Sequence, residues 1–322
     1  MNSKAMLATT VACLCVSSGR PASAGDLIYE WYTVANNSDV IPIDSSSSCG
    51  SCHETMASSA EQPSASAKVF NSYNQPAINK NGVVVFRARS RGGHGGSEGG
   101  SGHGGGEDGG SGSSGEPERG IYMRNLAEQG PLYMVFRRNG AVPQPNNTTT
   151  GQGDELASFN EFPSVPRIDA GSDTIATRGQ STPVWTYLDD KTGTETRTGT
   201  AGVYVSSSHG MPTTGASMLG DVFEAGVPTF PYLQVPVHGD VPAGTGFDQF
   251  PGSPAVTERT TIVFKGNFSV GGEGKTGVFY RDFAARGGIA PIELIASSYT
   301  KIPAPPSDSK PKPKPKSNSK ST

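Results

Sequence analysis

Apolar positions come in short bursts along this chain, and the bursts recur in a fixed order. VVVF (Val83 to Phe86) and TIVF (Thr261 to Phe264) are β-branched runs bounded by turn residues, which predicts short strands. Three segments share the same landmarks around such runs. FNSYNQPAINKNGVVVFRA (Phe70 to Ala88) is followed by Gly120-Ile121-Tyr122-Met123. FNEFPSVPRIDAGSDTIATRG (Phe159 to Gly179) is followed by Gly202-Val203-Tyr204-Val205, and FDQFPGSPAVTERTTIVFKG (Phe247 to Gly266) by Gly277-Val278-Phe279-Tyr280. Each opens aromatic-x-x-aromatic and continues with Pro-x-apolar (Pro76/Ile78, Pro166/Ile168, Pro254/Val256). A polar turn, an apolar run and a variable loop follow, and Gly-apolar-aromatic then opens another strand. The glycine suits a tight turn or a close backbone approach. The proline suits the first position or the edge of a strand, where no ladder N–H is lost.

A further strand is expected after each pair, at PLYMVF (Pro131 to Phe136), ASMLGDVF (Ala216 to Phe223) and PIELIA (Pro291 to Ala296). LIYEWYTVA (Leu27 to Ala35) reads as the same strand placed ahead of the first module. The intervals between modules are filled out by a glycine-rich insert in the first and a Thr/Gly-rich loop in the second. Modules of this size cannot bury their faces alone, so they are expected to stack or to arrange radially. The predicted fold is all-β: tandem antiparallel strand modules over about 27–140, 141–225 and 226–300, propeller-like, with a β-sandwich as the alternative.

PAINKNGVVVFRA with the later GIYM resembles the repeat of exported tandem-repeat β proteins, which carry an Asn-x-x-Gly turn between a Pro-x-Ile segment and an apolar strand. HGDVPAGTGFDQFPGSPAV (His238 to Val256) is similar to their Gly-Asp-x-Pro-Gly linker before the aromatic pair. The resemblance spans most of residues 27–300, thinly. Asn79/Gly82 keeps the turn, whereas the later copies have Asp169-Ala170-Gly171 and Thr257-Glu258-Arg259, and Arg87 stands where the motif has proline. The resemblance implies a β-propeller-like, extracytoplasmic fold and transfers no catalytic residue.

Composition agrees with many turns between short strands: 43 Gly and 25 Pro in 322 residues, with 34% hydrophobic and 17% charged. Lys4, the apolar stretch Ala5 to Ser17 and Ala22-Ser23-Ala24 predict an export signal over 1–24, cleaved before Gly25. That stretch is shorter than the roughly 20 residues a membrane span needs, and no later transmembrane segment is expected. Cleavage removes Cys13 and Cys15 and leaves Cys49 and Cys52, which is no disulfide framework, so folding is expected to rest on a packed core. The formal net charge is −3, and no nucleic acid is expected as partner. The 301–322 tail, rich in Lys-Pro, is expected to be disordered and extended. It reads as a solvated tail, or as an electrostatic tether to an anionic polymer or headgroups.

Candidate chemistry is sparse. Cys49-Gly50-Ser51-Cys52-His53 has the spacing that attaches c-type haem, and export places it in the right compartment. Its serine-rich surroundings suit a structural Cys pair or disulfide, and a Cys₂His metal site would lack a fourth ligand. The insert at 91–119 is Gly/Ser-rich and reads as a disordered loop. It also carries His94, Glu98, His103, Glu107 and Asp108, donors for a metal if they were held in place. No Gly-x-Ser-x-Gly elbow framed by a strand and a helix, Walker loop or His-Glu-x-x-His stretch is read from the chain, so it leans away from an enzyme. Asp189-Asp190 before Lys191-Thr192-Gly193 reads as a hairpin turn, and His238-Gly239-Asp240 as a turn former. Asn36, Asn146, Asn147 and Asn267 head Asn-x-Ser/Thr sequons. The function expected is an exported, non-enzymatic binding or surface-associated module for an unknown extracytoplasmic ligand or surface polymer. A haem c electron-transfer protein through Cys49, Cys52 and His53 is the alternative.

Overall fold

The structure is a computed structural model that describes residues 12–13, 31–42, 68–90, 117–147, 156–189, 194–207, 210–219, 230–257, 260–283 and 290–301. Among these residues the chain is all-β, and its one helical turn is a 3-10 turn at Pro231–Leu233. No helix among them is long and apolar enough to cross a membrane. A two-residue ladder joins β1 (Ala12–Cys13) to β2 (Tyr32–Thr33). The rest is three antiparallel sheets, one per predicted module.

In module 1, β3 (Phe70–Tyr73) and β4 (Ala77–Ile78) both pair with β5 (Val83–Ser90), which pairs with β6 (Arg119–Asn125) and through it with β7 (Leu132–Arg137). Module 2 repeats this order. Its β8 (Phe159–Glu161) and β9 (Arg167–Ile168) pair with β10 (Ile175–Asp189), followed by β11 (Thr194–Ser206) and β12 (Thr213–Ser217). In module 3 a Gln249↔Asn267 bridge stands for the first short strand. There β13 (Ala255–Thr257), β14 (Thr261–Val270), β15 (Glu273–Asp282) and β16 (Glu293–Ser297) follow in sequence order. Pro76, Pro166 and Pro254 each sit immediately before the second short strand, where a missing N–H takes nothing from the ladder.

The landmarks pack alike in all three sheets. Phe70, Phe159 and Phe247 are buried, and each meets the aromatic of the Gly-x-aromatic landmark edge-on. Phe70–Tyr122, Phe159–Tyr204 and Phe247–Phe279 have centroids 4.9, 4.8 and 5.1 Å apart at 84–90°. Such pairs contribute about 0.5–1.5 kcal/mol beyond the area they bury. A register shift falls between Ile121 and Tyr122, Val203 and Tyr204, and Val278 and Phe279, so each aromatic follows a β-bulge at the same place. The glycine two residues earlier makes room for the ring. A Cβ on Gly202 would lie 2.9 Å from Tyr204 Cζ, 2.9 Å from the Ala216 carbonyl and 2.7 Å from Asn146 Nδ2.

Strand alternation sends side chains into a core on either side of each inner sheet. From β5, Val84, Phe86 and Ala88 face back into a core with Phe70, Tyr122 and the Val34, Ala35 and Ile41 side chains. Val83 and Val85 face forward into a second core with Phe159, Phe162, Ile175 and Tyr204. From β11, Val203 and Val205 face forward again, onto Phe247, Phe250, Ile262 and Phe264. A two-sheet sandwich buries one face of each sheet, whereas the sheets of modules 1 and 2 are buried on both. The modules are stacked in series.

Three expectations shift. The Thr/Gly-rich loop of module 2 is instead a long hairpin in which β10 and β11 pair out to Asp189↔Thr194. The threonines and aromatics of that stretch favour strand, and Asp190 to Gly193 of the predicted turn lie outside the described residues. The fourth strand of module 2 is Thr213–Ser217, upstream of the expected ASMLGDVF centre. Strand β6 begins at Arg119, the last residue of the stretch read as an insert.

Candidate functional site

Beyond the second core the interface between modules 1 and 2 turns from apolar to charged. On β5, Arg87 and Arg89 share the parity of Val83 and Val85, so they point towards module 2. Arg119 opens β6 directly opposite Arg89 in the antiparallel register. These three guanidinium groups line a cleft of about 590 Å³, together with Ser72 and Tyr73 of β3 and Glu161 of β8. Ligand clefts commonly measure about 300–1,000 Å³.

The charges are unevenly matched. Arg119 Nη1 donates to Glu161 Oε2, and Arg87 Nη1 stands 3.7 Å from Glu161 Oε1, so one carboxylate answers two cations. Arg89 Nε donates to the hydroxyl oxygen of Ser72 at 2.9 Å and is otherwise exposed. Arg119 Nε is buried without an acceptor. The Tyr73 side chain points the other way, onto Phe70 and Phe86 of the back core, where burial and then the charge of Asp39 push its hydroxyl up to about 12. Like charges facing each other across a ladder are unfavourable by about 0.2–1 kcal/mol, and an unsatisfied buried donor by about 1–3 kcal/mol. The cleft therefore holds donors in excess of acceptors.

The next junction serves as an internal control. Arg178 of β10 occupies the place of Arg87, and its Nη1 donates to the Phe250 carbonyl at 2.7 Å as Arg87 Nη1 donates to the Phe162 carbonyl. In each case the acceptor is the second aromatic of the following module's aromatic-x-x-aromatic pair. Burial holds the Arg178 guanidinium below its ordinary value. This basic residue is part of how modules join. The other charges are not, because Arg89, Arg119 and Glu161 have Gln180, Ala201 and Gln249 as counterparts at the second junction. That junction closes without the cluster.

Other polar residues have structural partners. Asn79 Oδ1 accepts from the Asn81 and Val83 N–H groups and Asn79 Nδ2 donates to the Ser172 carbonyl, while Gly82 takes φ +78° in the predicted Asn-x-x-Gly turn. Asp169 accepts from the Gly171 N–H in the corresponding turn of module 2. Arg281 is 2% exposed, donates to the Thr214 and Gly215 carbonyls, and lies over the Tyr232 ring at 5.0 Å. Desolvation lowers its pKa. His238 lies between the Phe268 and Tyr299 rings with Nδ1 2.6 Å from the Pro236 carbonyl, and its own carbonyl accepts from the Val241 N–H, so it forms a turn as expected. Asn146 is wholly buried, with its amide on Tyr204 and Ser217, which closes that sequon to glycosylation in the folded chain.

Cys49, Cys52, His53, His94, His103, Glu107 and Asp108 lie outside the described residues. Among the described residues no group of three or more His, Cys, Asp or Glu side chains comes together. The Arg89/Arg119/Glu161 cluster was missed from the sequence, because Arg89 and Arg119 flank the long insert and Glu161 belongs to another module. Comparing matched positions of the repeats reveals it. Comparison with protein-family models, curated proteins and solved structures finds no match for this chain in any of the three.

Proposed function

We propose that this chain is an exported, non-enzymatic β-repeat module that binds an anionic ligand, carried by a surface or extracytoplasmic polymer, in the cleft between modules 1 and 2. The observation that carries this reading is the cluster Arg89, Arg119 and Glu161, which the equivalent junction between modules 2 and 3 does without. An arginine fork recognises a carboxylate, sulfate or phosphate group through paired N–H donors. Arg89 and Arg119 supply such forks from neighbouring strands, and Glu161 orients Arg119. The anion would relieve the Arg89/Arg119 repulsion and satisfy Arg119 Nε. The β-ladder holds both arginines at fixed spacing, so little conformational freedom is lost on binding.

Calorimetric titration with polygalacturonate and with dextran sulfate, using neutral dextran as control, tests this. The unmodified chain is expected to bind one of the polyanions, more weakly as salt is raised. The double variant Arg89→Gln, Arg119→Ala installs the residues of the second junction and is expected to weaken binding at least about tenfold, the loss of one charge-assisted hydrogen bond or more. Its urea midpoint should hold. Binding that survives in this variant but disappears when the five lysines of residues 309–322 are replaced by glutamine would assign the polyanion to the tail and refute the cleft.

A further inference from the structure

The row of arginines begun by Arg89 and Arg119 continues one strand further. The Gly120↔Arg137 pair of β6 and β7 puts the next residue along, Arg138, beside Arg119, and the Arg138 N–H donates to the Arg119 carbonyl at 2.8 Å. Arg89, Arg119 and Arg138 therefore stand side by side across β5, β6 and the end of β7. The other modules have this position without the charge. Met218 N–H donates to the Ala201 carbonyl at 3.2 Å and Ser298 N–H to the Thr276 carbonyl at 3.0 Å, one residue past the Gly202↔Ser217 and Gly277↔Ser297 pairs. The row is three arginines in module 1, Gln180, Ala201 and Met218 in module 2, and Asn267, Thr276 and Ser298 in module 3.

The turn after β7 holds Arg138 at the same junction as the cleft. Gly140 N–H donates to the Arg137 carbonyl and Asn139 takes φ +64°, so the chain turns sharply here. The turn is pinned to β8, with Asn139 N–H on the Phe159 carbonyl at 2.7 Å and Phe159 N–H on the Gly140 carbonyl at 2.8 Å, two residues before Glu161. At both matched positions the side chain folds back onto the neighbouring strand. Met218 Sδ accepts from the Ala201 N–H at 3.1 Å, and Ser298 Oγ accepts from the Thr276 N–H at 3.1 Å. A side chain at this position thus reaches the residue matched to Arg119. Arg138 is half-buried overall, as a stem lying along β6 requires.

We propose, building on anion binding at Arg89 and Arg119, that Arg138 is the third basic residue of the cleft and that the ligand is an acidic polysaccharide laid across β5, β6 and β7. It bears a carboxylate or sulfate on each of at least three successive sugar units. Each guanidinium takes one anionic group through paired N–H donors. Neighbouring strands lie about 4.8 Å apart, close to the advance of a chain per sugar ring, so successive units meet successive arginines. Glu161, on the middle arginine, accepts from sugar hydroxyls and repels a chain of bare anions.

Calorimetric titration of the full chain with oligogalacturonates of two, three and four units, and with sulfated malto-oligosaccharides of the same lengths, tests it, with the urea midpoint as the control for folding. The unmodified chain is expected to bind the three-unit ligand of one series at least about tenfold more tightly than the two-unit ligand, and to gain little from a fourth. Arg138→Met installs the residue of module 2 and keeps the backbone bond to Arg119. It is expected to bind the two-unit ligand as the unmodified chain does and to lose the gain at three. Arg137→Met removes the same charge from the next residue, which strand alternation places on the other face of β7, and should change nothing. Equal three-unit affinity in Arg138→Met and the unmodified chain overturns the role of Arg138 while leaving Arg89 and Arg119 theirs. So does an equal loss in Arg137→Met, which would mark net charge alone. If the unmodified chain binds no member of either series, the anion cleft falls and the role of Arg138 with it.

Discussion

Gly202→Ala probes the packing that all three modules share. The added methyl would meet Asn146 Nδ2 at 2.7 Å, and the Ala216 carbonyl oxygen and Tyr204 Cζ at 2.9 Å each. None of the three can swing aside. The Ala216 oxygen belongs to strand β12, Tyr204 is wedged edge-on against Phe159, and Asn146 is buried on Tyr204 and Ser217. Overpacking of this kind costs about 1–3 kcal/mol, and a displaced Asn146 gives up a hydrogen bond of about 1 kcal/mol more. The expected loss is therefore about 2–4 kcal/mol, and each kcal/mol lowers Tm by about 2–4 °C in a domain of this size. Gly274→Ala is the matched control, since that Cβ meets nothing within 4 Å. It should be neutral, or stabilising by up to about 1 kcal/mol through the unfolded chain. Urea denaturation reads both, and the Gly202→Ala midpoint should fall at constant m value. Equal midpoints for the two variants would refute the idea that the glycine is there to admit the ring.

Arg178→Ala leaves the Phe250 carbonyl without its donor at the second junction and should lower stability by about 1–3 kcal/mol in the same assay, with no change in polyanion binding; an unchanged midpoint would show that the junction arginine is dispensable. Alkaline titration addresses the tyrosines. Burial raises Tyr73 to about 12 and drives Tyr122 and Tyr204 upward as well. Because the folded state holds these protons more tightly than the unfolded chain, their contribution is complete below about pH 10 and is lost as pH rises from there through about 12. Urea midpoints should therefore decline above pH 10, with tyrosinate absorbance appearing together with unfolding, and stability that holds to pH 12 would contradict the burial of these hydroxyls.

What could be read from the sequence was local to a module. Aromatic-x-x-aromatic, Pro-x-apolar and Gly-x-aromatic mark residues that pack within their own sheet, so each copy carries the same signal whatever its neighbours do. The hairpin of module 2 was harder, because Thr, Gly and Arg in TETRTG (194–199) resemble loop composition although this stretch pairs with β10. The junction contacts were hidden for a different reason. Arg87 reaches a carbonyl 75 residues away and Arg178 one 72 residues away, and the acceptor is backbone, which leaves no mark on residue identity. Arg87 did register as a departure from the proline of the resembling repeats, and the structure gives that departure a role. The cleft became visible only on aligning the junctions, where Arg89, Arg119 and Glu161 stand against Gln180, Ala201 and Gln249.

The central claim is that Arg119 and Arg89 await an anion. Two-dimensional ¹⁵N NMR of the arginine Nε–H groups, recorded while an oligogalacturonate or a sulfated oligosaccharide is titrated in, tests it at the atom concerned. The account predicts a saturable shift of the Arg119 Nε–H resonance, with a smaller one at Arg89. Arg124, whose Nε already donates to the Gly130 carbonyl, and Arg178, which sits at the second junction away from the cleft, should not move. A titration that leaves Arg119 unmoved with both ligands, or that shifts all four arginines alike, would contradict the cleft as the binding site.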